Sequence, residues 1–307
     1  MGNIGLSAHS FPKVFGQESS PDTRRAVFTQ PRSTADRYAR PMPAEETTPQ
    51  LFPNRFADAV GPGGGERSRD VCRCVGHSTR TRPARVTFHG ERQDTGAAGW
   101  QHLLALVDEA AADGRPVFRP FVEMSAPERR QVVTLPPTIA KLTAVKHLVL
   151  YGTNLVRIPP EIGNMTSLER FEPYTSHRLH WYPYELTRCT GITDSTVSTR
   201  ALYGNFKFRP PFPALRPVTR AGEADLGALD PAVWGTEAVR TCSVCAGPVD
   251  HELHQVWISR PVGTDVLPLL VNACSTACLA ALPEPHSGYV PTPHTGGPAV
   301  VQPASRW

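Results

Sequence analysis

The chain lacks any long apolar run. None of its 307 residues fall in a stretch of 18 consecutive apolar positions, which is about the length that a membrane-spanning helix needs. The first 30 residues also lack the apolar core of a secretory signal. An N-terminal acylation signal is excluded because Leu6 stands where Ser or Thr is required. These absences predict a cytoplasmic protein with reduced thiols and no membrane association.

Catalytic motifs are missing as well. The sequence contains no nucleophile elbow, phosphate loop, paired-carboxylate motif or open metal site. His251 and His254 flank Glu252-Leu253, but a metalloprotease helix needs its histidines at i and i+4, and here they stand at i and i+3 in a strand-like context. Cys189 occupies an apolar position of the repeat described below, so we interpret it as a core residue. We expect no enzyme, no catalytic residues and no small-molecule substrate.

The folded part of the chain has no excess of charge of either sign. The net charge is +4. Residues 1–98 contain 14 Lys and Arg and 10 Asp and Glu, which leaves 32−14 = 18 basic and 28−10 = 18 acidic residues for the remainder. A nucleic-acid binder usually carries a basic footprint on its folded part. A nucleic-acid partner is therefore not expected, although a local basic patch remains open.

Proline and glycine are abundant, with 32 and 24 residues. Residues 1–94 are rich in Arg, Pro and Gly and show no sustained apolar period, so they bury too little apolar surface to offset chain entropy and are predicted to be disordered. Within them, Cys72, Cys74 and His77 could form a partial metal site. Two incidental thiols are the favoured interpretation, because a zinc site needs four ligands. A linker is predicted over 217–238 and a disordered tail over 285–307.

Residues 135–202 contain an internal repeat. Apolar residues recur 23 positions apart, and a Pro-Pro pair recurs with them. The recurring pairs are Leu135 and Ile158, Ile139 and Ile162, Leu142 and Met165, Val145 and Leu168, and Leu148 and Phe171. A period between about 20 and 29 with this order is typical of leucine-rich repeats. The chain resembles that family, in the subclass that reads LPxxIxxLxxLxxLxLxxNxLxxLP.

The resemblance implies an α/β fold in which a short solenoid with two caps occupies residues 95–216. Each repeat would place a strand on the inner curve, at 145–151 and 168–174. Leu148 and Leu150 then point inward. The positions of the family's inward Asn hold Thr153 and Ser176, whose hydroxyls can satisfy the same backbone groups. The outward positions form the predicted partner-binding face: His147, Val149, Tyr151, Arg170, Glu172 and Tyr174.

The third repeat is degenerate, and both ends of the array need covering. A helix with Trp100, Leu103 and Val107 on one face, starting after Asp94 or Thr95 and ending at Gly114, is predicted as part of the N-terminal cap. It is followed by strand-like pairs at 117–118 and 121–122 and by a capping box at 125–128. The aromatic and Pro-rich run at 206–213 is interpreted as the C-terminal cap, with a PxxP-type peptide ligand as the alternative.

Four cysteines near the C-terminus form the strongest chemical motif. Two residues separate Cys242 from Cys245, as in many zinc sites, and a further 28 residues separate Cys245 from Cys274, which Cys278 follows at i+4. A hairpin turning at 263–265 would join the pairs. We predict a structural Zn²⁺ held by four thiolates, with no position open to a catalytic water. The CSxxC before an apolar helix resembles the treble-clef fingers of the FCS, MYM and TRASH type, which implies a zinc module over 239–284.

These features predict a non-enzymatic scaffold that binds a protein partner through the repeat face. The alternative is a zinc-finger protein that binds nucleic acid or acts in regulation. Because a linker separates the two predicted domains, chelation is expected to melt the zinc module and to leave the repeats intact.

Overall fold

The computed structural model describes residue 86 and residues 88–215, 218–220 (backbone only), 241–250 and 252–304. Most of the predicted disordered segment 1–94 and of the predicted linker 217–238 lies outside these residues. All described residues belong to one compact unit of the chain. Among them, no helix combines the length and the apolar composition needed to cross a membrane.

The described chain begins to form regular structure with a helix, as the sequence predicted. Helix α1 (Ala98–Asp113) buries Trp100, Leu103 and Val107 and ends at Gly114, whose φ of 65° is left-handed. Its N-cap is Ala97, which makes no side-chain hydrogen bond. Asp94 is therefore not the cap, and its carboxylate instead accepts the backbone N–H of Gly96 at 2.9 Å.

Two short helices follow strand β1 (Val117–Phe118). Helix α2 (Pro120–Glu123) replaces the strand predicted at 121–122, because Pro120 at its first turn has the φ that a helix needs. Helix α3 (Ala126–Arg130) has the predicted capping box between Ser125 and Glu128. These elements cover one end of the sheet.

The first sheet contains four parallel strands in the order β1-β2-β3-β5, where β2 is His147–Val149, β3 is Arg170–Glu172 and β5 is Asp194–Ser195. Its register repeats the period of the sequence, because His147 pairs with Arg170 and Arg170 pairs with Asp194. On the other side of the core, the 3-10 helices Pro137–Lys141, Pro160–Asn164 and Tyr184–Arg188 lie next to one another. Leu148 and Phe171 are buried between the two layers.

A ladder of hydroxyl groups follows the strands, as predicted for Thr153 and Ser176. The two hydroxyl oxygens lie 2.7 Å apart, and the Ser176 hydroxyl also donates to Leu150 O at 2.8 Å. The backbone N–H of Thr153 donates to Ser176 Oγ at 3.1 Å. Ser198 extends the ladder by accepting the N–H of Thr175 at 2.7 Å. Hydroxyls thus satisfy the buried backbone groups of each turn.

The second sheet has the order β4-β8-β7-β6. The long hairpin β7 (Glu252–Val262) and β8 (Asp265–Ala273) turns at Gly263-Thr264, which confirms the predicted hairpin. Strand β6 (Val218–Arg220) pairs antiparallel with β7, so part of the predicted linker is a strand. Strand β4 (Tyr182–Pro183) comes from the repeats and pairs in parallel with β8. Helix α4 (Thr276–Ala280) follows β8.

The hairpin and the repeats share one hydrophobic core. That core extends from Trp100 in α1 to Leu269 in β8, and it includes Tyr182 at 0% exposure. At the turn of the hairpin, the Ser195 hydroxyl donates to Asp265 Oδ2 at 3.0 Å, and its oxygen lies 2.9 Å from Val262 O. The structure therefore corrects the expectation of two domains separated by a linker, since the hairpin packs directly on residues 135–202.

Two flanking segments are also packed on this core. Residues 285–304, for which the sequence predicted a disordered tail, cross β7, and Trp257 exchanges two backbone hydrogen bonds with His294 at 2.7 and 3.1 Å. Residues 88–93 lie along the repeats, where Phe88 stacks on Trp257 at 5.6 Å. The structure corrects both expectations of disorder for these described residues. The aromatic residues of these segments could have indicated their packing. Both segments contribute to one apolar cluster, which contains Phe88, Trp181, Tyr203, Phe212, Trp257 and Val290.

Candidate functional site

The structure brings Cys242, Cys245, Cys274 and Cys278 together. Their sulfur atoms all lie within 4.8 Å of one another. Cys274 Sγ is 3.7 Å from Cys245 Sγ and 3.6 Å from Cys278 Sγ. These separations greatly exceed a disulfide bond of about 2.05 Å, and all four are free thiols. The four predicted ligands thus form a cluster able to hold a metal ion.

The first pair lies in a tight turn before the hairpin. The N–H of Cys242 donates to Gly247 O at 2.7 Å, and the N–H of Ala246 donates back to Cys242 O at 3.0 Å. Cys242 Sγ accepts backbone N–H groups from Val244 at 3.4 Å and Cys245 at 3.5 Å. The turn therefore aims two sulfurs to one side and directs N–H dipoles at the buried one.

The second pair lies at the end of β8 and in α4. Ser275 caps the helix, and its hydroxyl accepts the backbone N–H of Cys278 at 3.2 Å. Cys274 and Cys278 are four residues apart, so they lie on the same face of this turn. The N–H of Cys274 donates to Cys242 Sγ at 3.4 Å, which ties the two pairs together.

Residues of the third repeat form hydrogen bonds with the turn that carries Cys242. Ser243 Oγ donates to Glu185 Oε1 at 2.7 Å and accepts the backbone N–H of Asn272 at 2.9 Å. Arg188 Nη2 donates to the carbonyls of Cys242 at 3.1 Å and Ser243 at 3.0 Å. Sequence reasoning missed these contacts. A Glu and an Arg on the third 3-10 helix carry no spacing signal that would connect them to cysteines more than fifty residues away.

The electrostatics of the cluster favour a bound cation. Burial raises the pKa of Cys242, but N–H donors from Cys245 and Cys274 outweigh it and bring the pKa to about 7. Hydrogen bonds with Cys278 and Cys245 raise the pKa of Cys274 to about 12. The cluster thus stabilises one thiolate, while four converging sulfurs can lose their remaining protons only if a cation offsets the repulsion.

The predicted partner-binding residues lie on one face of the first sheet. Val117, His147, Arg170 and Asp194 occupy successive strands at one register level. Val149 and Glu172 pair at the next level. Tyr174 is 44% exposed, whereas its neighbour Tyr151 is half-buried. Trp181 and Tyr182, further along the chain, are buried. Tyr182 pairs with Leu269 of the hairpin, and the Trp181 ring contacts that of Trp257.

Charged groups on this face are paired across strands. His147 Nε2 lies 3.1 Å from Glu172 Oε2, and Arg170 Nε lies 3.1 Å from Asp194 Oδ2. Tyr151 and Tyr174 contact each other with ring centroids 5.7 Å apart. The face therefore combines aromatic surface with paired charges of both signs.

The structure also describes the surroundings of His254 and Cys189. His254 lies in β7 rather than in a helix, and it is 3% exposed, whereas His251 lies outside the described residues. Cys189 is 3% exposed, and its thiol lies 3.2 Å from Ile162 O. Burial raises the pKa of Cys189 to about 11, which is unsuited to a nucleophile.

No protein-family model matches the chain, and a comparison with curated proteins found no match.

Proposed function

We propose that the chain is a short leucine-rich repeat scaffold whose end is closed by a zinc-bound hairpin, and that it binds a protein partner through the exposed face of its first sheet. The observation that carries the proposal is the register of that sheet. It places residues 23 and 24 positions apart side by side, which is how a repeat array builds a continuous binding surface.

Zinc is the metal that best suits the four-cysteine cluster. Thiolate ligands select zinc over hard cations. With Zn–S bonds of about 2.3 Å, a tetrahedral site has sulfurs about 3.8 Å apart, close to the 3.6 and 3.7 Å separations here. Four protein ligands leave no coordination position for a catalytic water. The role proposed for the ion is structural, and the protein is proposed to have no catalytic activity.

A protein partner suits the face better than a nucleic acid does. Tyr and Arg are common anchors in protein interfaces, and Tyr174 and Arg170 are both exposed. Phosphate binding depends on cationic groups that are available to exchange counterions. The Lys146 ammonium, however, lies 2.8 Å from Glu169, and Arg170 is paired with Asp194. The nucleic-acid alternative therefore has less support from this surface.

Photo-crosslinking from the face tests this function. A benzoylphenylalanine at position 174 should give a discrete protein adduct in the native host. The same group at position 208, where Phe208 is 50% exposed, is the matched control because that side chain lies outside the face. Once the partner is identified, Tyr151→Ala with Tyr174→Ala should weaken its binding by about 30-fold or more, as expected for two interface anchors.

Two results would count against the proposal. Equal adducts from positions 174 and 208 would show that the face is not selective. Unchanged affinity in the double variant would show that the tyrosines do not anchor the partner. Binding of single-stranded or duplex DNA with a steep salt dependence would favour the nucleic-acid alternative instead.

A further inference from the structure

A small cavity lies where three parts of the chain meet. Its lining comes from residues 199–206, from residues 264–266 at the hairpin turn and the start of β8, and from Tyr289 of the C-terminal segment. Its volume is about 160 Å³, whereas a single water needs only about 10–15 Å³ of such space. Close-packed interiors contain few voids of this size, and ligand sites often lie where parts of a fold meet. The cavity is therefore a candidate binding site.

The lining includes one carboxylate, that of Asp265. Its Oδ2 atom accepts the Ser195 hydroxyl at 3.0 Å and the backbone N–H of Val197 at 3.2 Å. Its Oδ1 atom accepts no hydrogen bond from the described residues, and it is not among their buried oxygen atoms that lack a partner. One oxygen thus fixes the orientation of the side chain, and the other is open to the space beside it.

This carboxylate also has no cationic partner among the residues that the structure describes. Burial raises the pKa of Asp265, hydrogen bonds from Ser195 and Val197 lower it, and the Asp194 carboxylate raises it again. Asp265 is therefore a partly desolvated acid beside a second negative charge. A cation placed at its open oxygen would be weakly screened by water, which strengthens the attraction between the two charges.

The rest of the cavity contains aromatic surface. Three aromatic residues belong to the lining: Tyr203, Phe206 and Tyr289. Aromatic rings attract cations, and the Arg209 guanidinium already lies 5.1 Å from the centroid of the Tyr289 ring. Arg209 is not part of the lining. Its terminal nitrogens donate to Gly204 O at 3.2 Å and Gly288 O at 2.6 Å, so they are directed at backbone carbonyls.

The composition of the lining selects the class of ligand. A metal ion with oxygen ligands needs several of them, and among the described residues only the four cysteines form a group of three or more His, Cys, Asp or Glu side chains. An anion would be repelled by Asp265. A drug-sized ligand usually needs about 300–1,000 Å³, which exceeds this cavity. An ammonium group on a short alkyl chain fits both the carboxylate and the aromatic residues.

We propose that the cavity binds a primary alkylammonium group, which pairs with Oδ1 of Asp265 while its methylene groups contact the aromatic lining. A free aliphatic amine and the lysine side chain of a protein both supply this chemistry. The site is built from the end of the repeats, the hairpin turn and the C-terminal segment. It is separate from the four-cysteine cluster, and it does not depend on the proposed partner-binding face.

Butylammonium binding to the full chain tests the proposal. In an NMR titration, the backbone amide resonances of Thr199, Thr264 and Val266 should shift, with a Kd on the order of 1 mM, which five heavy atoms can supply. Butanol has the same number of heavy atoms without the charge. It should bind at least about tenfold more weakly, because it cannot form the charge-assisted hydrogen bond.

Asp265→Asn should weaken butylammonium binding by about tenfold or more, because the charge is lost while the amide oxygen can still accept from Ser195 and Val197. Asp108→Asn is the matched control, since that exposed carboxylate is paired with Lys141 outside the cavity. It should bind butylammonium as the wild type does. The shifts in the wild-type chain locate the site without any variant.

The Nα-acetyl N-methylamide of lysine distinguishes the two sources of the ammonium group. Tighter binding than butylammonium would assign the cavity to a lysine side chain, and weaker binding would assign it to a free amine; both results support the proposal. Three results would each overturn it: no saturable shift at the three amides, equal binding of butanol, and undiminished binding of butylammonium to Asp265→Asn.

Discussion

At the scale of single residues, the turn of the first cysteine pair stores backbone strain. Ala246 has φ of 58°, a left-handed conformation that costs an L-residue with a Cβ about 1 kcal/mol. Its N–H donates to Cys242 O, so the conformation is set by the turn that aims the sulfurs. Glycine would adopt it without strain.

Ala246→Gly should therefore stabilise the protein with the proposed zinc bound by about 0.5–1 kcal/mol, even though glycine has more conformational entropy to lose. Urea unfolding in the presence of zinc measures the change. Ala277→Gly, at an exposed position inside α4, is the control and should destabilise. A loss of stability in Ala246→Gly would contradict the strain assigned to this residue.

Glu185 is the second residue with a measurable consequence. It is 1% exposed, and its Oε2 atom has no hydrogen-bond partner. Burial raises the pKa of Glu185 above its usual 4.5. The folded state thus holds this proton to a higher pH than the unfolded chain does. The resulting stability is present below about pH 4.5 and is lost as the pH rises through the raised pKa.

Glu185→Gln should remove that loss. The stability of the variant relative to wild type should increase as the pH rises from about 4.5 to 8, as measured by urea unfolding at each pH. Glu169→Gln is the control, because Glu169 is exposed and paired with Lys146. If the difference between Glu185→Gln and wild type does not change with pH, the carboxyl is not the buried acid that the structure describes.

The sequence predicted the positions of those residues whose role follows from their spacing. The four cysteines, the inward Leu148 and the hydroxyls of Thr153 and Ser176 lie as predicted. It missed Glu185, whose role comes from Ser243 in another element. Nothing in the local sequence encodes that contact.

At the scale of elements, α1 packs closely on α3. A Cβ added to Gly99 would lie 2.3 Å from the backbone oxygen of Glu128, and backbone cannot move as a side-chain end can. Gly99→Ala should therefore destabilise the protein by about 1–3 kcal/mol, despite the better helix propensity of alanine.

Thermal unfolding measures this cost. Gly90→Ala is the control, because no atom lies within 4 Å of its Cβ position, and its transition should differ little from wild type. Equal transitions for the two variants would show that α1 and α3 are not packed at this distance.

The elements that could be predicted were those with a period or a local signal. The 23-residue repeat predicted which residues pair between β2 and β3, and the Gly-Thr turn predicted the hairpin. Strand β4 could not be predicted. Tyr182 pairs with Leu269, and a two-residue strand with a partner so distant leaves no pattern in the sequence.

At the scale of the whole molecule, the hairpin and the repeats form one core. Strand β4, the Ser195–Asp265 contact and the Glu185–Ser243 contact all join them. The composition of residues 217–238 predicted a linker and hence separable domains. The shared packing could not be predicted, because the aromatic residues that contribute to it are scattered along the chain. The earlier expectation that metal loss melts only residues 239–284 is therefore replaced.

A structural zinc contributes on the order of 10 kcal/mol, which is comparable to the whole stability of a typical domain at about 5–15 kcal/mol. Because one core includes both parts, loss of the proposed ion should destabilise the repeats along with the hairpin. The proposed metal would then act on the proposed binding face indirectly, through the fold that supports it.

Hydrogen exchange of wild type and of Cys245→Ser with Cys278→Ser tests this most directly. The variant removes two of the four proposed ligands directly, so no chelator is needed. Amides of β2 and β3 in the repeats should lose protection together with those of β7 and β8. Loss of protection confined to residues 239–284, with β2 and β3 unchanged, would contradict the single cooperative core.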